Sequence, residues 1–127
     1  MKRVGGRVTW LCRLDGVLAE KVREGTKRMT ICRGGLVEPG DVLRLTVGDD
    51  TIQQVTVVEA RDLWMMAQVN GECVGVVARI CGNGIGAGEL GELARMNGFG
   101  SAPEMVRFLD GKGCFLHGIF DGQIIGW

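Results

Sequence analysis

Apolar residues along this chain fall in short β-branched or alternating runs broken at close intervals by glycine, a pattern that predicts strands interrupted by a few helices. Residues 8–14 read as a first strand. Asp15 then caps a helix over 16–24, in which Leu14, Leu18 and Val22 recur at four-residue spacing and Gly25 supplies the terminating residue. A short strand follows at 28–32, with a turn at Gly34-Gly35. Glu38-Pro39-Gly40-Asp41 predicts a type II turn, because proline presets φ and the next residue, glycine, tolerates the left-handed position. It launches a strand at 42–47, which Gly48-Asp49-Asp50 reverses into a strand over 51–60. Asn70-Gly71 is the strongest hairpin signal, joining 64–69 to 72–80 through a type I′ turn. Residues 81–91 read as a glycine-rich connection, and 92–96 and 101–109 as helices, the latter with Ser101 and Glu104 as a capping box and Pro103 in its first turn. Strands at 114–120 and 123–127 close the chain, giving about seven strands and three helices with no internal repeat.

A length of 127 residues, 46% hydrophobic and 24% charged, predicts one globular domain over 1–127 whose core needs neither disulfide nor structural metal. Cys12, Cys32, Cys73, Cys81 and Cys114 are odd in number and lack two-residue spacing, and His117 is the only histidine; reduced thiols, no metal and no cofactor are expected. No apolar run approaches the roughly 18 residues of a membrane-spanning helix. The basic start, Met1-Lys2-Arg3, leads into a strand-like run rather than a signal-peptide segment, so a cytoplasmic protein without a membrane partner is expected.

The formal net charge of zero conceals a division: residues 1–33 carry nine Lys and Arg against three acids, and the remainder six against twelve. Such asymmetry predicts an anionic partner for the basic third, RNA or a nucleotide being the usual kind; two surfaces that neutralise each other are the alternative reading.

Gly86-Ala87-Gly88-Glu89-Leu90-Gly91 spells a dinucleotide fingerprint, but the fingerprint works inside a parallel βαβ unit and the elements before it read as consecutive hairpins. A flexible connection is the better reading. Cys114 and His117, three residues apart on a predicted strand, fall on opposite faces, so His117 reads as structural. The Trp and Phe residues read as core, with one or two available to line a nucleobase pocket. Gly25-Thr26-Lys27-Arg28-Met29-Thr30-Ile31-Cys32-Arg33 is different: a glycine-ended helix, two cations at a bend and a hydroxyl entering a strand. Its donors suit a phosphate, a carbonyl oxygen or a base edge, and a desolvated Lys27 would act as a base towards Thr30. A solvated basic turn is the plainer alternative.

This segment resembles the Gly-x-Lys-x-x-Thr-x-Arg signature of the ASCH domain, the activating-signal-cointegrator homology family of PUA-like β-barrels. Three further stretches fit in order: 37–43 around Pro39-Gly40-Asp41 resembles the family's strand opening, 93–99 its helix ending in Gly-Phe, and 118–127 its closing strand. The resemblance implies an α+β fold, a PUA-like, mainly antiparallel β-barrel with two to three peripheral helices, in which 42–47, 51–60, 64–69 and 72–80 are consecutive antiparallel neighbours. It also implies RNA or modified-nucleoside binding through a basic cleft between the Lys27–Thr30 turn and the 93–99 helix. Gly25, Lys27, Arg28, Thr30, Arg33, Arg95 and Phe99 are the expected ligand contacts. The alternative it implies is an amidohydrolase acting on N4-acetylcytidine, with Lys27 as base and Thr30 as nucleophile. Here the sequence departs from the family: Cys32 stands at the motif's arginine with Arg33 one residue late, and Asn97 stands at the acid, with Glu92 a turn or so earlier as its substitute. An amide hydrogen-bonds a base but does not donate a full proton to a leaving amine. A stand-alone interaction module is the third reading.

Overall fold

The computed structural model describes residues 8–70 and 73–127. Eleven elements follow in the order β1 (Thr9–Arg13), α1 (Gly16–Arg23), β2 (Met29–Arg33), β3 (Val42–Val47), β4 (Asp50–Thr56), β5 (Glu59–Asn70), β6 (Cys73–Ile80), β7 (Asn83–Ile85), α2 (Ala87–Met96), α3 (Ala102–Gly111) and β8 (Ile119–Gly126). This is an α+β arrangement whose strand pairings are antiparallel except β1 with β3. The strands form a three-stranded sheet, β1-β3-β4, and a five-stranded sheet, β2-β8-β5-β6-β7, and no closed barrel is found among the described residues. None of the described helices is long and apolar enough to cross a membrane.

Each sheet carries its own core. Ala19 and Val22 of α1 pack with Leu43, Leu45 and Val57 beside the smaller sheet. Leu90, Leu93 and Ala94 of α2 and Met105 and Leu109 of α3 pack with Leu63, Met65, Phe120 and Ile124 of the larger one. Asp41 ties the β1–β3 end together: its buried carboxylate accepts from the Val8 and Glu38 N–H groups, each at 3.0 Å, and from Trp10 Nε1 at 2.9 Å. Bonds from the β1 segment to an acceptor held at a tight turn fix the parallel start of β1 against β3.

Four expectations are corrected. The segment 51–60 is not one strand, and β4 and β5 are not neighbours; the chain passes between sheets at Val57 and Val58. Val57 is 2% exposed, its N–H bonds to the Asp41 carbonyl and its carbonyl accepts from Gly40, while the Val58 N–H is already bonded to Gly126 of the other sheet. Next, α2 begins at Ala87 and β7 occupies Asn83–Ile85, so most of the glycine-rich stretch lies in regular elements; in α2 the buried row Leu90, Leu93 and Ala94 outweighs the roughly 1 kcal/mol that a helical glycine costs. The third concerns 114–120, of which only Ile119 and Phe120 are strand. Leu116 and Ile119 exchange hydrogen bonds of 2.8 and 2.9 Å around His117 and Gly118, both at positive φ, so strand alternation does not relate Cys114 to His117. Finally, 119–126 is one continuous strand across Asp121-Gly122. Gly122 belongs there because a Cβ would lie 2.2 Å from the Cys32 carbonyl oxygen and 2.7 Å from the Phe120 ring. The turn at Gly71-Glu72 lies outside the described residues, although Asn70 pairs with Cys73 as a hairpin requires.

Gly122→Ala is expected to lower stability by about 2 kcal/mol or more, as overpacking against fixed backbone does, read as a fall in the urea midpoint. An unchanged midpoint would contradict the close β2–β8 contact.

Candidate functional site

The end of α1 decides where Lys27 goes. Gly25 takes a φ of 78°, which returns the Thr26 and Lys27 N–H groups to the Lys21 carbonyl at 3.0 and 3.1 Å and turns the chain inward. Lys27 is left only 2% exposed, and Thr30 only 6%, on the strand that follows. Asn97 meets them from the other layer as the residue that ends α2, fully buried, with its side-chain Nδ2 donating to the Leu93 carbonyl at 2.8 Å. Lys27 Nζ donates to the Asn97 carbonyl oxygen at 2.9 Å and lies 3.5 Å from Asn97 Oδ1. Lys21 Nζ donates to the neighbouring Gly98 carbonyl at 3.1 Å. Two lysines of the α1 region thus cap the carbonyl end of α2, where unpaired acceptors and the helix dipole favour positive charge.

Lys27, Thr30 and Asn97 all face one cavity of about 510 Å³. Its apolar walls come from Leu14, Leu18, Ile31 and Leu109 and from the tilted pair Phe99 and Phe108, whose ring centroids are 5.2 Å apart. Arg13, Asp15 and Lys112 line its exposed side. Lys112 Nζ sits 5.5 Å from the centre of the Phe108 ring and 3.9 Å from Asp15 Oδ2.

Burial lowers the Lys27 amine from 10.5 to about 8; Lys21 pushes the same way, and the thiols of Cys12 and Cys32 oppose it. Those two thiols form a hydrogen-bonded pair near Thr30 and Lys27. Cys12 is lowered chiefly by its bond from Cys32, with help from Thr30 and Lys27, and Cys32 is raised by that same bond and by burial. The pair opens onto a separate recess of about 220 Å³ beside Arg33 and Gly34. Burial also raises the Cys114 thiol, against the nearby charges of Arg33 and Lys112.

Of the residues singled out in the sequence, Lys27, Thr30, Asn97 and Phe99 come together at the cavity. Gly25 and Arg28 line another recess, shared with Lys27 on its far side, and Arg33 borders the thiol recess. Glu92 and Arg95 are exposed on α2, paired with each other at 2.9 Å, and neither lines the cavity. The basic segment therefore does not converge on one point, because only Lys27 turns inward. Arg13, Phe108, Lys112 and Cys114 are cavity residues that the sequence reading missed. The four-residue spacing of Phe108 and Lys112 on a helix was the available signal for a shared face. Among the described residues no group of three or more His, Cys, Asp or Glu is placed to hold a metal.

The unfolded chain keeps the Lys27 proton up to about its ordinary value of 10.5, whereas the folded protein releases it near 8. Between these values the unfolded state binds more protons, so stability rises with pH; below about 8 the full cost of the buried charge is present. Relative to Lys27→Met, the wild type is expected to gain on the order of 3 kcal/mol from neutral pH to 10.5, measured by urea unfolding of both. Parallel pH curves would show that the amine is not desolvated. Comparison with known proteins yields no match to a family model, a curated protein or a solved structure.

Proposed function

We propose that the cavity binds a modified nucleoside, the chain being an ASCH-type domain of PUA-like kind. The observation that carries this reading is the meeting of three buried polar side chains, Lys27, Thr30 and Asn97, at a cavity of about 510 Å³ with aromatic residues in its wall. That volume is of small-ligand size. An ammonium, a hydroxyl and an amide offer donors and acceptors suited to a base edge, and Phe99 and Phe108 offer faces for a heterocycle. The segments around Gly25–Thr30, Pro39–Asp41, Leu93–Phe99 and Phe120–Trp127 follow the family order, which supports the assignment. A long RNA track across Arg28 and Arg33 is less favoured, since those side chains border other recesses.

A second reading, hydrolysis of an N-acylated cytidine, is favoured by a lowered Lys27 amine that lines the same cavity as a buried threonine. In that reaction neutral Lys27 removes the Thr30 hydroxyl proton as Oγ1 attacks the acyl carbonyl. The C–N bond then breaks, with the proton returned from Lys27 to the departing cytosine amine. Water, deprotonated by the same amine, attacks the acyl-threonine ester; as the acyl C–Oγ1 bond breaks, Lys27 returns that proton to Thr30 Oγ1, and the freed acid ionises to its carboxylate. Asn97 holds the carbonyl or the base edge but supplies no proton, so Lys27 alone serves as base and then as acid, without a separate general acid placed at the leaving amine, and turnover is slow. A misplaced or missing general acid commonly costs about 10²–10⁴-fold.

Cytidine and N4-acetylcytidine should bind in calorimetric titration, and Lys27→Met and Phe99→Ala should each weaken binding by about tenfold, the equivalent of one good polar or stacking contact. Absence of binding at millimolar nucleoside would refute the binding reading. For hydrolysis, acetate release should rise with pH through about 8, and Asn97→Asp should increase it. Release unaffected by Lys27→Ala would eliminate the Lys27 mechanism.

A further inference from the structure

The cavity has a polar floor and a cationic opening, and the nucleoside reading uses only the floor. Arg13 ends β1 with its side chain exposed where the cavity opens, and it has no ion-pair partner among the described residues. Lys112, which follows the last turn of α3, also lines the cavity, with its ammonium over the Phe108 ring. Asp15 is the acid that lines the same cavity, and its carboxylate is already engaged: Oδ1 accepts from the Val17 N–H at 3.2 Å, and Oδ2 lies 3.9 Å from Lys112. The opening is therefore cationic, two positive side chains against one acid, while the buried Lys27 amine, already bonded to Asn97, the uncharged Thr30 and Asn97 groups and the aromatic rings line the rest of the cavity. A heterocycle against Phe99 and Phe108, with its edge towards Lys27, Thr30 and Asn97, directs its substituent towards Arg13 and Lys112.

We propose that Arg13 and Lys112 form a phosphate subsite, so that the cavity takes a nucleoside 5′-phosphate in preference to the free nucleoside. This rests on the nucleoside reading above and names the part of the ligand that reading leaves unassigned. Arginine offers a planar fork of N–H donors that matches two phosphate oxygens, and lysine a mobile point charge. Both lie on the exposed side, where screening by water and salt limits each contact to a modest gain. The preference is accordingly about tenfold at low salt and shrinks as salt is raised. A phosphate at the 5′ end of an RNA presents the same chemistry as a free nucleotide.

The test is calorimetric titration of the full chain with cytidine, cytidine 5′-monophosphate, inorganic phosphate and a trinucleotide with and without a 5′-phosphate. The measured quantity is the ratio of monophosphate to cytidine affinity. That ratio should be about ten, fall towards one in Arg13→Gln and Lys112→Gln, and persist in Arg44→Gln, which removes the same charge from an exposed position of β3 outside the cavity. Circular dichroism checks that each variant is folded. Equal affinity of the 5′-phosphorylated trinucleotide and the monophosphate assigns the subsite to RNA ends, and preference for the monophosphate assigns it to free nucleotides. A ratio of one in the wild type, with cytidine still bound, would overturn the subsite and leave the nucleoside reading intact. Phosphate bound without cytidine, or nothing bound at all, would overturn both.

Discussion

A lysine amine buried at the carbonyl end of a helix organises this molecule. The last turn of α2 leaves backbone acceptors without intrahelical partners, and an end buried without donors is costly. Lys27 and Lys21, 70 and 77 residues away in sequence from the groups they reach, supply those donors at Asn97 and Gly98. These bonds join the α1 layer over the smaller sheet to the α2 and α3 layer over the larger one, whose apolar cores are otherwise distinct. The cavity is the space left at that junction. Its existence depends on a charge held where desolvation disfavours it and a helix dipole and two carbonyls favour it.

That balance gives Lys27 two roles at once. As a cap it needs to be a donor, which both the ammonium and the neutral amine are. As a base it needs a vacant lone pair, and burial provides one by lowering the amine to about 8. The absence of a carboxylate at position 97 matters for the same reason. An Asp or Glu there would pair with the ammonium and raise its pKa, moving the base to higher pH while adding the proton donor that the Asn97 amide lacks. Cys12 and Cys32 make a further polar layer near Thr30, so the site merges into the interior rather than ending at the cavity wall.

What the sequence disclosed, and what it did not, follows from how local each feature is. Asp15, Gly25 and the Leu14, Leu18 and Val22 spacing define α1 from neighbouring residues alone, and with it the inward turn that buries Lys27. Asn97 was legible through the resemblance of 93–99 to a known helix ending. By contrast, the split at Val57 and Val58 is set by hydrogen bonds to Asp41, Gly40 and Gly126, none of them neighbours in sequence. Gly122 reads as a turn residue until the Cys32 carbonyl packed against it is known. Arg28 and Arg33 read as site residues because charge is visible in a sequence and direction is not. Phe108, Lys112 and Arg13 were missed because only the packing of α3 and β1 around the junction makes them one wall.

The central claim is that the Lys27 amine is at once the cap of α2 and the ligand-facing group of the cavity. It is tested most directly by following the Lys27 Nζ resonance by NMR in lysine-labelled protein, with Lys27→Arg for assignment, across pH and then with added N4-acetylcytidine. The amine should titrate near 8 rather than 10.5, and its resonance and midpoint should both move when the nucleoside is added. A midpoint near 10.5, or a resonance indifferent to the nucleoside while other sites respond, would contradict this account.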